Sequence, residues 1–369
     1  MPNLKKVALG LSGGVDSATA GWLLLKQGYQ VDGVFLECWN EPGCRTDQDR
    51  QDALQVALTL GIPFKVIDFK QAYREQVFAY FRTEYAAGNT PNPDIVCNRE
   101  IKFGLFYNWA MQQGYDFMAT GHYADITTFD DQLKLKIPQD KQKDQTYFLC
   151  EVESDRLAHV LFPLANLLKS EVRQFSLENH LPVAQKAESM GVCFIGEFNL
   201  NSWLKTEFGE NPGSVVSPNG QVIGRHSGLW FSTIGQRKGF KLDPKATARA
   251  FNLNPTQLPA FFALDKDIKH NQLVVGQKTD LLTSDLKVTA LSDQLSTLLQ
   301  NKSAADLNAW FIRLRHGGDL LPISRIAFAP HQPLISLTNP VSKPAPGQWG
   351  VFYQKVGPEL ILQGKTVFV

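Results

Sequence analysis

One octet near the start of the chain, Gly10-Leu11-Ser12-Gly13-Gly14-Val15-Asp16-Ser17, limits the available folds more than any other stretch. It joins a short apolar run over 5–11 to a helical pattern over 18–26 that closes at Gly28. A glycine-rich turn that leaves a strand and opens a helix marks where an open parallel sheet binds its ligands. Glycine lets the backbone approach an anion with no Cβ in the way. The helix start adds unpaired N–H groups and the positive end of its dipole, and Ser12 and Ser17 add hydroxyls. The octet lacks the Gly-x4-Gly-Lys-Ser/Thr spacing of a γ-phosphate loop, so its ligand is held in another way.

The pattern after the octet agrees with this. Strands are expected over 30–38, 64–68 and 117–120, and helices over 47–60, 71–87 and 102–112. Such alternation predicts crossover units, hence an α/β fold with a doubly wound parallel sheet and helices on both faces. Beyond residue 200 the texture changes to short β-prone runs broken by glycine and proline. The Pro218-Asn219-Gly220 turn predicts a hairpin. Further strands are expected over 310–315, 323–328, 349–353 and 360–362, which favours a small barrel or sandwich. With 369 residues, three domains are expected: 1–200, then a β-rich 201–282, then a C-terminal β-barrel over 283–369.

No apolar stretch reaches transmembrane length, and the first residues lack a secretory pattern, so no membrane association and a cytoplasmic location are expected. The net charge of +1 gives no global attraction to a polyanion. Between residues 225 and 249, however, six cations (Arg225, Arg237, Lys238, Lys241, Lys245, Arg249) stand against the single acid Asp243. That is either a solvated face or a polyanion patch. The five cysteines, Cys38, Cys44, Cys97, Cys150 and Cys193, are odd in number and show no CxxC spacing. A disulfide framework and a protein-ligated metal site are therefore not expected. The thiols are either buried small hydrophobes or chemically active.

Cys97 follows Thr90-Pro91-Asn92-Pro93-Asp94 and precedes the 102–112 helix, where a dipole favours its thiolate. Cys193 sits between Gly191 and Gly196, and Gly121-His122 ends a strand at the octet's edge of the sheet. The octet resembles the PP-loop of the ATP pyrophosphatase superfamily. Together with the two cysteine segments, Lys143-Asp144-Gln145 and Gly235-Gln236-Arg237-Lys238-Gly239, the chain resembles the tRNA-specific 2-thiouridylase family over essentially its full length.

That resemblance implies a sulfurtransferase acting on tRNA. ATP, with Mg²⁺ screening its phosphates, would lie on Gly10, Leu11, Ser12, Gly13, Gly14, Val15, Asp16 and Ser17, with Leu36 and Gly121 as further nucleotide contacts. The C2 oxygen of the wobble uridine would be adenylated. Cys193 would carry a persulfide supplied by a sulfur-relay protein or cysteine desulfurase, Cys97 would resolve it as a disulfide, and Asp94 would move the proton. Asn92, Pro93 and Asp94 match the segment at the target base, and His122, Lys143, Asp144, Gln145, Arg313, Leu314 and Gln348 match tRNA contacts. Cys38 and Cys150 match no role and read as structural thiols, while Cys44 matches a cysteine that some relatives carry.

Two other readings compete. A small-molecule ligase would use the octet but leave Cys97, Cys193 and the β-rich third idle. A non-catalytic RNA-binding protein would not need Gly13, Gly14, Asp16 and Ser17 all in place.

Overall fold

The computed structural model describes residues 4–40, 44–187, 199–300, 302–328 and 332–369. The first strands are β1 (Lys6–Gly10), β2 (Gln30–Glu37), β3 (Phe64–Asp68) and β4 (Phe117–Ala119), interleaved with α1 (Val15–Lys26), α2 (Thr46–Leu60) and helical stretches over 70–86 and 93–112. After a hairpin of β5 (Asp125–Phe129) and β6 (Gln132–Lys136), the short β7 (Val160–Leu161) completes a sheet ordered β3-β2-β1-β4-β7. Every neighbouring pair is parallel. Its central strands are apolar throughout because both faces are covered: Val7, Ala8, Leu9 and Val34 are fully buried. Chain order reverses on either side of β1, so a crevice opens at the carboxyl ends of β1 and β4, where this fold takes its ligand. The doubly wound sheet inferred from the sequence is the one observed.

The helix expected over 102–112 begins earlier, at Pro93. Asn92 caps it by accepting from the Ile95 N–H at 3.4 Å, and Pro93 occupies the first turn. Asn followed by Pro is a helix-start signal, here hidden within a run that reads as a rigid loop. Asp94 therefore stands in the first turn and Cys97 one turn in. Between Asn98 and Phe106 this helix widens to π geometry.

A second sheet, ordered β10-β9-β8-β12-β11, comprises β8 (Gly213–Val216), β9 (Val222–His226), β10 (Phe240–Leu242), β11 (Phe262–Asp267) and β12 (Gln272–Gly276). The hairpin at Pro218-Asn219-Gly220 is the antiparallel pair β8–β9. The third sheet contains β13 (Leu282–Lys287), β14 (Trp310–Arg313), β15 (Leu321–Ala327), β16 (Leu334–Ser342), β17 (Trp349–Val356) and β18 (Glu359–Val367), in the order β13-β16-β15-β14-β17-β18. A bridge between Val288 and Phe368, with Thr289 N–H donating to Val367 O at 2.9 Å, joins its two ends into a barrel. Closure removes the exposed edges, and Trp310, Ile312, Ile335, Phe352 and Phe368 fill the interior.

One element crosses the expected divisions. The β5–β6 hairpin, from the N-terminal span, adds to β18 through Lys136 opposite Ile361. Its turn is Asp130-Asp131, with φ of 49° and 57°, the left-handed pair that a tight two-residue hairpin turn requires.

Candidate active site

The crevice between β1 and β4 holds a cleft of about 180 Å³. It is lined by Gly10, Leu11, Ser12, Asp16 and Ser17 of the octet, by Val34, Phe35 and Leu36 of β2, by Lys102 and Phe106 of helix 93–112, and by Thr120, Gly121, His122 and Gln145. Octet, Leu36, Gly121, His122 and Gln145, separated by over a hundred residues in sequence, thus meet in one place.

The octet is held open by its own hydrogen bonds. The Ser12 N–H donates to Ser17 Oγ at 3.2 Å, and Ser17 Oγ donates to Gly14 O at 3.1 Å. Gly13 has φ +72°, and a Cβ there would lie 2.4 Å from Asp49 O. Two lysines brace the loop. Lys169 Nζ donates to Asp16 Oδ1 at 2.6 Å, and the Tyr123 hydroxyl donates to the same oxygen at 3.1 Å. Lys186 Nζ reaches Gly13 O at 2.9 Å, Asp49 Oδ1 at 2.7 Å and Asp52 Oδ2 at 2.5 Å. Burial alone would raise the Asp52 carboxyl, yet hydrogen bonds from Lys186 and Gln48 hold it below its usual range. Nothing in the sequence singles out Tyr123, Lys169 or Lys186. Their signal is long-range contact, invisible in spacing.

Gly121 closes the other wall. A Cβ at this position would meet Ser17 N at 2.7 Å and Asp16 C at 2.9 Å, both backbone atoms at the start of α1. Gly121→Ala must therefore push the 120–122 turn off the octet. We expect nucleotide affinity to fall by about 10- to 100-fold, the equivalent of one or two lost phosphate hydrogen bonds, with the rest of the fold intact. Calorimetric titration with ATP checks it; an affinity within twofold of the parent would show that the wall is not in contact with ligand.

These features fit an adenine nucleotide. Gly10 and Gly121 line the cleft beside the start of α1, a helix terminus that favours an anion, and the apolar Leu36 and Phe106 line it too. Asp16 is the one carboxylate among the described lining residues. Beside them His122 places Nδ1 2.8 Å from Thr120 Oγ1. Burial, and then the charge of Lys102, hold its imidazole well below the usual range, so it is neutral.

The remaining expected residues form a second cluster, where the barrel meets the catalytic sheet. The Gln348 amide donates to Thr90 O at 2.6 Å, and the Thr90 N–H donates to Pro346 O at 2.8 Å, fixing the segment that leads to Asn92, Pro93 and Asp94. Asp144 and Arg313 form a buried ion pair, their side chains only 1% and 7% exposed. Asp144 also accepts from Thr146 N at 2.9 Å and Thr146 Oγ1 at 2.7 Å. Arg313 lies over the Tyr353 ring, 5.1 Å from its centre. Lys143 and Leu314, next to this pair in sequence, are half-buried, whereas Gln145 turns to the nucleotide cleft and accepts from Tyr123 N at 2.9 Å.

Cys97 is fully buried, as is Cys38 within 1%. Burial pushes the Cys150 thiol up to about 12, which makes it an inert core group. No disulfide forms among the described residues. Cys193 lies outside them. Flanking its segment, Lys186 is tied to the octet, and Trp203 of helix Leu200–Phe208 packs on Phe78 and Phe81, with ring centres 5.3 and 5.2 Å away. The six cations between 225 and 249 are all exposed, while Asp243 is used as a helix cap, accepting from Ala246 N at 2.7 Å.

A doubly wound sheet with a glycine cradle at its switch point, followed by a β-rich unit, defines a nucleotide-binding catalytic domain of HUP type joined to further β domains. Family models agree: residues 5–197 match the tRNA methyl transferase HUP domain, and 201–277 the tRNA methyl transferase PRC-barrel domain. A tRNA-specific 2-thiouridylase MnmA from Lysinibacillus sphaericus is 37% identical over 95% of this chain and 92% of its own. Those of Chromobacterium violaceum and Bacillus subtilis are 42% and 40% identical, each over 78% of this chain and over 75% and 76% of their own. A solved 4-thiouridine synthetase–RNA complex with bound ATP overlays 55% of this chain and 50% of its own, at 20% identity and a TM-score of 0.35. The chain belongs to the tRNA-specific 2-thiouridylase family. It is an enzyme, a sulfurtransferase.

Proposed function

We propose that this enzyme makes 2-thiouridine at the wobble position of tRNA in two steps. ATP occupies the cleft, its adenine against Leu36 and its phosphates over the octet, and the C2 oxygen of the uridine attacks the α-phosphorus. Pyrophosphate leaves, and the oxygen becomes part of a good leaving group. The terminal sulfur of a Cys193 persulfide then replaces that oxygen, AMP departs, and Cys97 resolves the remainder as a disulfide that is reduced before the next turnover. Asp94 moves the proton that attack and collapse require. The observation that carries this reading is the meeting of octet, Leu36 and Gly121 in one cleft, with Asp94 and Cys97 at the start of a helix that also lines it.

Mg²⁺ would offset phosphate charge, held by the phosphates themselves with Asp16 as the carboxylate at hand. Cys97, wholly buried, must be uncovered before it can resolve anything, and we assign that motion to the arrival of tRNA. The exposed cations between 225 and 249 supply a phosphate-facing surface in a chain whose overall charge is near zero. Lys143, Leu314 and Gln348 sit near the seam where the barrel meets the 90–94 segment, a suitable place to receive an anticodon loop with its target base turned out. Asn92 and Pro93 would line the base itself, and His122 the mouth of the nucleotide cleft. We place the domain limits near 200 and 282, the protein in the cytoplasm, and its persulfide donor among relay proteins or cysteine desulfurases. Among the described residues no helix is long and apolar enough to cross a membrane.

Methyl transfer, the activity in the family-model description, gives the two cysteines and the octet no task. The test is nucleoside analysis of unmodified tRNA after incubation with enzyme, ATP and a persulfide source. 2-Thiouridine that appears only with ATP supports the proposal; unchanged uridine, or a methylated nucleoside, overturns it.

A further inference from the structure

The barrel sets an aromatic ring against the catalytic unit at a point close to both the nucleotide cleft and Cys97. His316 stands in the loop over 314–320 that joins β14 to β15. Its imidazole stacks on the Phe148 ring, with centres 4.2 Å apart and planes inclined by 27°. Phe148 is half-buried and His316 exposed, so the phenyl ring serves as support and the imidazole meets solvent. Two hydrogen bonds locate this stack. The Phe148 N–H donates to the carbonyl of Gln145, which lines the cleft, at 3.0 Å. The Phe148 carbonyl accepts from Asn98 Nδ2 at 3.0 Å, and Asn98 directly follows Cys97.

The support is also rigid. Phe148 lies in the short helical turn Thr146–Leu149, where the Tyr147 hydroxyl donates to Trp349 O at 2.9 Å and Thr146 Oγ1 lies 2.9 Å from the Tyr353 hydroxyl. On the barrel side, Gly317 turns the loop with φ +63°, and the Gly318 N–H donates to Arg315 O at 3.1 Å. Desolvation where it packs has the largest influence on the His316 imidazole. Asp144 pulls its pKa up and Arg313 and Lys143 push it down, which leaves it below the usual range and neutral at pH 7. An uncharged, exposed aromatic plane on a fixed support is what RNA-binding proteins offer to an unstacked base. The exposed Arg315 beside it puts a positive charge where a phosphate would follow that base.

We propose that His316 is a further contact for the RNA substrate, on which an unpaired base next to the target uridine stacks as the anticodon loop enters the seam. The inference rests on the reading that tRNA docks at this seam.

Binding of unmodified tRNA to the full-length protein and to His316→Ala, His316→Leu and His316→Phe, all at one salt concentration, tests it. Leucine restores apolar cover over Phe148 without an aromatic plane, and phenylalanine restores the plane without a titrating group. We expect alanine and leucine to weaken binding by about 5- to 100-fold, the range for one lost base stack, and phenylalanine to stay within about threefold of the parent. A second readout uses tRNA carrying 2-aminopurine at the loop positions flanking the target, one at a time. Its fluorescence at one of them should be quenched by the parent and by His316→Phe but not by His316→Leu. Leucine binding as tightly as the parent would make His316 a packing contact, and phenylalanine as damaging as alanine would make it a polar one; either overturns the proposal. Quenching at neither position, or equal quenching by parent and His316→Leu, overturns it as well. Failure of the unaltered protein to bind tRNA would instead overturn the docking reading beneath it.

Discussion

Arg313→Ala is expected to destabilise the protein by about 3–5 kcal/mol, the scale on which a buried ion pair loses one partner. The reason lies in what remains. With Arg313 gone, Asp144 keeps its bonds from Thr146, but its charge is left at 1% exposure with no cation against it. The pair also fastens the 143–145 loop to β14, so the seam between catalytic sheet and barrel should loosen first. Replacing both partners by apolar residues of similar volume should cost less than the single change, since no lone charge is then buried. Calorimetric unfolding without tRNA measures both. The resemblance to tRNA-binding positions suggests a different outcome, in which Arg313→Ala weakens tRNA binding and leaves unfolding within about 0.5 kcal/mol of the parent, as exposed substitutions do. That result would show that Arg313 is a surface contact and that its bond to Asp144 carries no weight.

Cys193→Ser should abolish 2-thiouridine formation, by at least about 10³-fold as loss of a covalent group-carrier implies, while AMP is still released from ATP in the presence of tRNA. Serine has nearly the same size but cannot hold a persulfide, so adenylation and sulfur transfer come apart. The residues that flank its segment are anchored: Lys186 is bound to the octet, and Trp203 packs on the aromatic face of helix 70–86. Cys97→Ser is expected to keep one round of thiolation when the enzyme is loaded with persulfide sulfur and to fail on the next round. A Cys193→Ser protein that still thiolates, measured by nucleoside mass spectrometry, removes Cys193 from the chemistry.

The parallel sheet was legible because its strands are short apolar runs ending in glycine turns, and both periodicity and punctuation are local. The octet was legible for the same reason. The start of helix 93–112 was obscured because Thr90-Pro91-Asn92-Pro93 reads as loop chemistry, although Asn92 as cap and Pro93 at the first position form an equally good helix start. The attachment of β5–β6 to the barrel could not be seen at all, since Lys136 and Ile361 are over two hundred residues apart. Within the site, the sequence named Ser12, Asp16, Leu36 and Gly121 but not the lysines that brace them. Lys169 and Lys186 stand in ordinary helical or turn contexts, and only the folded chain brings each to a carboxylate. Asp144 and Arg313 mark the opposite case. By resemblance they match tRNA contacts, while their buried pairing with each other is a long-range contact that no local pattern shows.

The central claim is that the cleft at the β1–β4 switch point activates RNA with ATP. The most direct measurement is release of labelled AMP and pyrophosphate from α-labelled ATP with Mg²⁺, with and without unmodified tRNA and with no sulfur donor present. AMP and pyrophosphate that form only when tRNA is added, and that Gly121→Ala suppresses, are what this account predicts. ADP as product, or AMP formed equally well without tRNA, would contradict it.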